Sequence, residues 1–411
     1  RYEGSSKFYS DRWGLFPGIS AGWRISSEKF MRNVRAVDDL KLRVSYGTTG
    51  NQGFNTNTAY RMYSKDSWTY YNGQWMTVYG LMHNQNRDMK WEIKKEFDVG
   101  LDFSLFNRRL NGRMDYFSRK IEDAIYSGIP VASPPAVYAT STVNIGDITN
   151  KGFEFELNGR VVDTKDWTFD TSLVGSFVGK SRLEGMAKDT HMEFQAMPHG
   201  GGSAVRIFGG QEIGRYFLYR FAGVREEDGT PMIYSKDNKV IPYASGTDED
   251  RVQTGNGLPK AVLSWNNTVR YRNWDLNLFF RSWLGQDVYN VTDMIQGVNC
   301  KITEGQNLLR TAYRRNKAIT NTDRLMLLDY WLEKGDFLKL DAVTLGYTLP
   351  RNKIKYVEKL RCYFTVRNVC TLTGYSGLDP EVNVNGLAPG FEGMSQYPRT
   401  RSFILGIEIG F

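Results

Sequence analysis

The sequence predicts an all-β protein, specifically part of a transmembrane antiparallel β-barrel. Three observations support this prediction. Apolar and polar residues alternate with a period of two, and the connections between the predicted strands alternate between short and long. In addition, no apolar run reaches the ~20 residues of a membrane-spanning helix. Aromatic residues make up 14% of the 411 residues, and there are 41 glycines. This composition fits a barrel with aromatic girdles and a wet interior, but it also fits a soluble sandwich or propeller.

Alternation is cleanest in two segments. In the first, residues 97–105 place apolar side chains opposite Asp98, Gly100, Asp102 and Ser104, and in the second, residues 403–411 alternate up to the final phenylalanine. Because successive side chains of a strand point to opposite faces, we expect the apolar set to face membrane lipid. The predicted lipid-facing residues are Phe97, Val99, Leu101, Phe103, Phe403, Leu405, Ile407, Ile409 and Phe411.

Eleven segments are predicted to be strands, mostly on the same kind of alternation. Further examples are Leu40–Tyr46, Phe153–Leu157, Trp274–Phe280 and Leu360–Val366. In chain order, the predicted strands are 12–25, 39–48, 90–106, 110–126, 147–162, 167–180, 260–272, 273–286, 336–349, 360–375 and 400–411.

The connections between these strands alternate in length. Short ones lie at 107–109, 163–166, 272–273 and 350–359, and long ones, predicted as loops, lie at 49–89, 127–146, 181–259, 287–335 and 376–399. Short turns on one side and long loops on the other are typical of an outer-membrane barrel, with the short turns periplasmic. The long loops are then expected outside the cell and Phe411 in the periplasm.

The predicted strand number indicates an incomplete barrel. A bacterial single-chain barrel has an even number of strands and no free edge, so eleven strands are expected to need an odd set upstream. The first residues, Arg1–Gly4, do not resemble a signal peptide and suggest a fragment.

Several ordered segments resemble the SusC/RagA family of TonB-dependent outer-membrane transporters. The resemblance extends over essentially the whole chain, and its motifs are Arg1–Phe8, Phe16–Ile25, Asp39–Gln52, Asn144–Glu154, Gly335–Leu340 and Tyr397–Thr400. A terminal phenylalanine on an alternating strand also resembles the signal that barrel-assembly machinery recognises.

The resemblance implies a function and a set of partners. It implies a barrel of about 22 strands filled by a plug domain, with residues 1–411 forming the C-terminal part of the barrel. The plug domain and first strands would be absent from this chain. It also implies a SusD-like surface lipoprotein, energy from TonB through the missing N-terminal part, and import of oligosaccharides or peptides. The location implied is the outer membrane of a Gram-negative bacterium.

No motif indicates an enzyme, a metal site, a cofactor or a nucleic-acid partner. Neither a nucleophile elbow nor a phosphate loop is found, and the net charge of +8 is scattered. His83, His191 and His199 lack zinc-ligand spacing. The acidic clusters 226–228 and 248–250 lack calcium-loop order and favour solvated loops. Cys362 and Cys370 lie about 26 Å apart on one strand, too far for a disulfide, and Cys300 is isolated.

Two groups of residues are candidates for cargo binding. The first is the aromatic stretch Trp68, Tyr70, Tyr71 and Trp75, with Tyr79 nearby, whose rings can stack on sugar faces. An aromatic girdle, or packing against a partner lipoprotein, explains the same pattern and is favoured. The second group, Tyr289, Asn290 and Asp293 with Gln296, is predicted as a rim after an upward strand.

Three functions remain open from the sequence. The first, which we favour, is a TonB-dependent importer. The second is a passive porin or barrel enzyme, but a porin would not need the extended family motifs and no convergent Ser, His and Asp is found. The third is a soluble β-rich glycan-binding module. The sequence does not distinguish glycan cargo from peptide cargo.

Overall fold

The main feature of the fold is one continuous antiparallel sheet. The computed structural model describes residues 1–131, 134, 136–186, 191–197, 202–299, 305, 307–320, 327–350, 356–384, 386–393 and 397–411. Within these residues, eleven strands follow one another across the sheet, and Arg182–Glu184 pairs with the fifth as a twelfth. The eleven are β1 (Gly18–Arg24), β2 (Val37–Asn51), β3 (Glu92–Leu105), β4 (Leu110–Glu122), β5 (Asp147–Asp163), β6 (Trp167–Val178), β7 (Ala261–Tyr271), β8 (Trp274–Leu284), β9 (Phe337–Thr348), β10 (Lys359–Thr373) and β11 (Ser402–Gly410). Each matches one predicted strand.

The register of the sheet carries the alternation of each strand across to its neighbours. Residues of β2, β3, β4 and β5 that lie opposite one another fall into matched rows, so each face has one character. One row is apolar and consists of Leu42, Leu101, Met114 and Phe155. The adjacent row is charged and consists of Lys41, Asp102, Arg113 and Glu156. We call these two sides of the sheet the apolar face and the polar face.

Side chains of the apolar face are not covered by protein. In β11, Phe403, Leu405, Ile407 and Ile409 are between 51% and 80% exposed, and Phe411 is 86% exposed. Phe97 is 40% exposed, whereas Val99, Leu101 and Phe103 are partly exposed. An apolar face of this extent in water would favour aggregation, which argues against a soluble core. Contact with lipid remains a prediction for all nine residues.

The two ends of the sheet differ in their connections. Short turns join three strand pairs at one end, which we call the turn end: β3–β4, β5–β6 and β7–β8. We call the opposite end, where the long connections lie, the loop end. Aromatic side chains of the apolar face pair near the turn end, with ring centroids 4.3 Å apart for Trp167 and Tyr271 and 4.8 Å apart for Trp274 and Tyr347. Such rings are typical of a membrane–water interface.

The prediction that the long connections are loops is wrong in one respect, because they contain regular structure. Antiparallel hairpins in them are Tyr63–Tyr71 with Gln74–Leu81, Ile125–Pro130 with Thr140–Asn144, and His191–Ala196 with Ser203–Phe208. A further hairpin, Tyr2–Gly4 with Trp13–Leu15, precedes β1. A four-stranded sheet contains Tyr216–Val224, Pro231–Tyr234, Val240–Pro242 and Arg251–Thr254. Asp287–Asn290 pairs with Leu332–Lys334 and, in parallel, with Phe391–Glu392. Helix α1 is Val291–Gln296, and 3₁₀ turns lie at Ile25–Ser27, Lys29–Met31, Tyr243–Ser245, Asp248–Asp250, Arg310–Tyr313 and Asp329–Trp331.

Elements from three of the long connections fold together at the loop end around a hydrophobic core. We call this unit, formed by the described residues of 181–259, 287–335 and 376–393, the cap. Tyr216, Leu218, Tyr289, Leu328 and Trp331 are fully buried in its core. The cap is therefore a packed structure, and its connections are held in place by burial of apolar side chains. A smaller core is formed by Phe8, Phe16, Phe54, Met89 and Trp91.

Two further findings concern membrane helices and cysteines. Within the described part of the chain, no helix combines the length and the apolarity needed to span a membrane. The thiols of Cys362 and Cys370 are free, as strand geometry predicts. Cys300 lies outside the described residues.

Replacing Leu101 with arginine tests the orientation of the sheet. On the apolar face near the bilayer midplane, Leu101→Arg should lower the free energy of unfolding by roughly 2–4 kcal/mol. Asp102→Asn is the matched control on the polar face and should change it far less. Reversible urea unfolding of the complete barrel in lipid vesicles measures both. Equal losses for the two variants would contradict the assignment of the faces.

Candidate functional site

The polar face carries a network of ion pairs. The guanidinium of Arg43 donates from Nε to Asp102 at 2.8 Å and from Nη2 to the same carboxylate at 2.9 Å, and it also reaches Asp115 at 2.7 Å. Gly100 lies opposite Arg43, and a Cβ there would clash with Asp115 and Arg43. A glycine at this position therefore leaves the space that the guanidinium occupies.

The same pattern continues over the rest of the face. Asp170 accepts from both Arg160 at 2.9 Å and Arg270 at 3.1 Å, and the Nε of Arg361 donates to Asp275 at 3.0 Å. These side chains are partly exposed, so individual pairs contribute little to stability. Together they form a polar surface that water can hydrate and that is rich in hydrogen-bonding groups, as the lining of a lumen requires.

An acidic segment of the cap is bound to the barrel strands by a buried lysine. The Nζ of Lys339, in β9, is 2.7 Å from Asp379 and 2.9 Å from Glu381, and its side chain is 2% exposed. Arg281, in β8, donates to Glu381 at 2.8 Å, and Arg399 lies 2.9 Å from Asp379. A buried lysine is tolerated only when its charge is paired, so these contacts fix the position of the acidic segment.

The first predicted candidate group lies on a projecting hairpin. We call Tyr63–Tyr71 and Gln74–Leu81 the aromatic hairpin. Its two-residue turn, Asn72 and Gly73, has positive φ at both positions, as a type I′ turn requires. Next to its base, Asn84 donates to the carbonyls of Tyr138 and Thr140 and ties the chain to the neighbouring hairpin.

The register divides the aromatic residues of this hairpin between its two faces. Trp68, Tyr70, Trp75 and Tyr79 share one face and are 55% to 68% exposed, whereas Tyr71 lies on the other. The rings of Tyr70 and Trp75 meet edge to face with centroids 5.4 Å apart, and Lys65 lies 4.0 Å above the ring of Trp68. A two-stranded hairpin is only marginally stable alone, so this open aromatic face is suited to binding a ligand or a partner.

The second candidate group does not form an exposed rim, which corrects the sequence prediction. Tyr289, Asn290 and Asp293 are 0%, 1% and 2% exposed. Asn290 accepts from the backbone N–H of Asp293 at 2.8 Å and caps helix α1. Asp293 binds Arg315 at 2.7 Å and also accepts a hydrogen bond from Thr311. Burial raises the pKa of Tyr289 well above its usual value. These residues therefore support the cap and do not fit direct contact with cargo.

The acidic clusters and histidines show no metal site among the described residues. No group of three or more His, Cys, Asp or Glu side chains is placed to hold an ion there. Asp228 binds Arg225, and Asp248 binds Arg206 at 2.7 Å and Arg251 at 3.1 Å. His191 lies 3.6 Å from Glu193, and His199 lies outside the described residues.

Sequence reasoning missed the cap core and the acidic segment. Apolar residues cluster at Ala204–Phe208, Tyr216–Phe221 and Leu327–Trp331, and all three runs lie inside connections predicted as loops. Such runs could have indicated folded structure. The pattern Asp379-Pro380-Glu381 gave no signal, because its cations come from β8, β9 and the segment just before β11.

Comparison with known proteins gives one family match. The family described as "TonB dependent receptor-like, beta-barrel" matches residues 1–369. "TonB-dependent receptor SusC" of Bacteroides thetaiotaomicron is 28% identical over the whole chain, which covers 41% of that protein. "TonB-dependent receptor P3" of Formosa agariphila is 27% identical, also over the whole chain, which covers 43% of it. The chain thus spans less than half the length of the curated relatives it matches.

Solved structures share the fold. The structure described as the RagAB peptide importer in the "closed-closed" state has a TM-score of 0.82 at 20% identity, with 100% of this chain and 45% of that chain covered. A second structure, described as the RagAB peptide transporter, has a TM-score of 0.81 at 20% identity, with 99% and 45% covered. At this identity the likeness establishes the fold.

Substituting Lys339 tests the attachment of the cap to the barrel. Lys339→Ala removes the buried cation and leaves Asp379 and Glu381 with only the more exposed Arg399 and Arg281. The junction should therefore lose up to about 3 kcal/mol, the lower end of the cost of breaking a buried ion pair. Lys334→Ala is the control, because Lys334 also makes one 2.7 Å ion pair, to Asp287, but its side chain is 79% exposed. Hydrogen exchange of residues 376–384 in the complete protein measures the effect. Similar exchange in both variants would contradict this role for Lys339.

The Asp250 carboxylate predicts acid sensitivity of one cap segment. Hydrogen bonds from the backbone N–H groups of Thr247 and Lys236, at 2.8 and 2.7 Å, lower the pKa of Asp250. The folded form then gains stability above the unfolded pKa of about 3.9 and loses it as pH falls through the lower folded pKa. Exchange protection of these two amides should therefore drop below about pH 4, and Asp250→Asn should remove that dependence.

The exposed Asp237 provides the control for this experiment. Asp237→Asn removes a carboxylate from the same segment and should leave the acid transition in place. Unchanged protection of the wild-type amides down to pH 2 would show that Asp250 does not hold the segment.

Proposed function

Because this chain belongs to the TonB dependent receptor-like β-barrel family, and within it to the SusC/RagA type, we propose that it forms part of the wall of an outer-membrane nutrient importer. One observation carries the proposal. The eleven strands present an uncovered apolar face and an ion-paired polar face. A wall between lipid and a watery lumen needs this division, and a soluble glycan-binding module does not.

We propose that further strands and a plug domain complete the transporter. Among the described strands, β1 and β11 each have a neighbour on one side only. An open strand edge exposes unpaired N–H and C=O groups, which hydrocarbon does not tolerate, so a closed barrel requires strands beyond these eleven. Residues 1–411 would then be the C-terminal part of the barrel, and TonB would act through the N-terminal part.

The orientation proposed here places the loop end outside the cell. The turn end and Phe411 would face the periplasm, since bacterial barrels have short periplasmic turns and long extracellular loops. The cap then forms an outer surface. Its packed core keeps that surface fixed enough to serve as a platform for a SusD-like lipoprotein, the partner that the family resemblance implies.

The proposed cargo is an oligosaccharide or a peptide. The structures named as RagAB peptide importers support a peptide, and the family resemblance implies an oligosaccharide as the other class. The aromatic hairpin is the proposed contact surface for cargo. Flat rings stack well on sugar faces, whereas a protein partner would bury the same rings. Transport, without catalysis on the cargo, is the proposed activity.

An uptake experiment tests the function. Cells lacking the complete gene should lose uptake of one class among labelled oligosaccharides and peptides, and the intact gene should restore it. Collapsing the proton gradient that powers TonB should also stop uptake. Unimpaired entry without the gradient would support a passive porin and contradict the importer.

Two substitutions on the aromatic hairpin test its role in cargo binding. Trp68→Ala and Trp75→Ala remove stacking surface from one face, so cargo affinity should fall by about tenfold, or about 1.4 kcal/mol. Tyr71→Ala, on the opposite face, is the matched control and should leave affinity unchanged. Titration calorimetry of the complete transporter measures this. A loss of lipoprotein binding with normal cargo affinity would assign the hairpin to the partner.

A further inference from the structure

A cavity on the polar face at the turn end is lined by arginine side chains. It has a volume of about 980 Å³ and is bounded by the turn Phe106–Arg109, by Arg35, and by inward side chains of β4, β5, β6 and β7. Four arginines contribute to its lining, Arg35, Arg108, Arg109 and Arg160. Only two carboxylates, Asp163 and Asp170, do so. The lining therefore carries a formal excess of two positive charges.

Three of these arginines have no partner within the described part of the chain. Arg160 is paired with Asp170 at 2.9 Å, whereas no hydrogen bond or ion pair joins the guanidinium groups of Arg35, Arg108 and Arg109 to another described residue. All three are exposed. This contrasts with Arg43 and Arg361 on the same face, whose carboxylate partners occupy them. Unpaired guanidinium groups retain their full capacity to bind carboxylate, sulfate or phosphate.

The turn that carries Arg108 and Arg109 has a costly backbone conformation. Phe106, Asn107 and Arg108 have φ values of 57°, 57° and 61°, which non-glycine residues adopt rarely and at a cost. The turn is fixed from two sides. Asp38 accepts from the N–H of Arg108 at 2.8 Å, and Asn111 donates to its carbonyl at 2.9 Å. The conformation is thus maintained by specific contacts and presents adjacent arginines at the cavity.

Most of the remaining lining residues carry neutral hydrogen-bonding side chains. They include the amides of Asn111, Asn158 and Asn266 and the hydroxyls of Ser172 and Thr268. Amides and hydroxyls bind the neutral polar groups that sugars and peptides share. A volume close to 1,000 Å³ is also in the range of small-molecule sites, roughly 300–1,000 Å³.

We propose that this cavity binds an anionic group of the transported solute before it leaves the lumen at the turn end. The ligand class is a neutral polar chain that carries carboxylates or sulfates, such as an acidic oligosaccharide or an acidic peptide. Arg35, Arg108 and Arg109 bind the anion, and the asparagine amides bind the chain beside it. This inference rests on the proposed function, since it requires the polar face to line the transport path.

The test uses the complete transporter in detergent micelles, where both mouths are accessible. Fluorescently labelled tetragalacturonate and tetraglutamate are the two acidic probes, and labelled tetragalactose and tetraglutamine are their neutral counterparts. In the variant Arg35→Gln/Arg108→Gln/Arg109→Gln, affinity for at least one acidic probe should fall tenfold or more, and affinity for the neutral probes should stay unchanged. The probe that responds identifies the solute as sugar or peptide.

Arg272→Gln provides the matched control. Arg272 also lies at the turn end but pairs with Asp166 and does not line this cavity. The Arg272→Gln variant should bind the acidic probes with unchanged affinity. Raised salt should weaken acidic-probe binding by the wild type more than binding by the triple variant. Heat-dependent gel migration verifies that each barrel is folded.

Three outcomes would overturn the inference. They are failure of both acidic probes to bind at millimolar concentration, an equal loss in Arg272→Gln, and increased protease cleavage of the plug in the triple variant with unchanged probe binding. The last outcome would assign the arginines to a plug contact. Each leaves gradient-dependent uptake of the natural cargo intact, so failure of this site is distinguishable from failure of the importer function.

Discussion

The pairing of every backbone N–H and C=O group across neighbouring strands is the constraint on which the rest of this structure depends. Water cannot satisfy these groups inside a membrane, so a spanning segment must be helical or belong to a closed sheet. The eleven strands pair in sequence order, each antiparallel to the next. Because the register aligns neighbouring strands such as β2, β3 and β4, one face becomes apolar and the other becomes charged.

The two faces and the two ends follow from that arrangement. Charged residues such as Arg43 and Asp102 lie on the polar face, where water and carboxylate partners are available. The turn end needs only short connections, whereas the loop end has room for a folded cap that buries its own core. The ion pairs of Lys339 join that cap to the wall. A cap attached in this way gives the loop end a defined shape, which recognition of cargo or a partner requires.

The strands could be predicted from the sequence because strand periodicity is local. Phe97–Leu105 and Phe403–Phe411 reveal their faces without reference to any neighbour. The cap could not be predicted in this way, since Tyr216 and Trp331 reach the same core from distant connections. For the same reason, Tyr289, Asn290 and Asp293 looked like an exposed rim, although tertiary packing buries them. The aromatic hairpin was identified by composition, but its register was needed to separate Tyr71 from Trp68, Tyr70 and Trp75.

Solvent accessibility along β11 tests the central claim most directly. Single cysteines at positions 402–410 of the complete transporter, spin-labelled in lipid vesicles, report contact with oxygen dissolved in lipid or with a water-soluble nickel chelate. We expect labels at 403, 405, 407 and 409 to respond to oxygen, and labels at the intervening positions to be shielded from it. An absence of this two-residue period, or access of the nickel chelate to both sets, would contradict a wall between membrane and lumen.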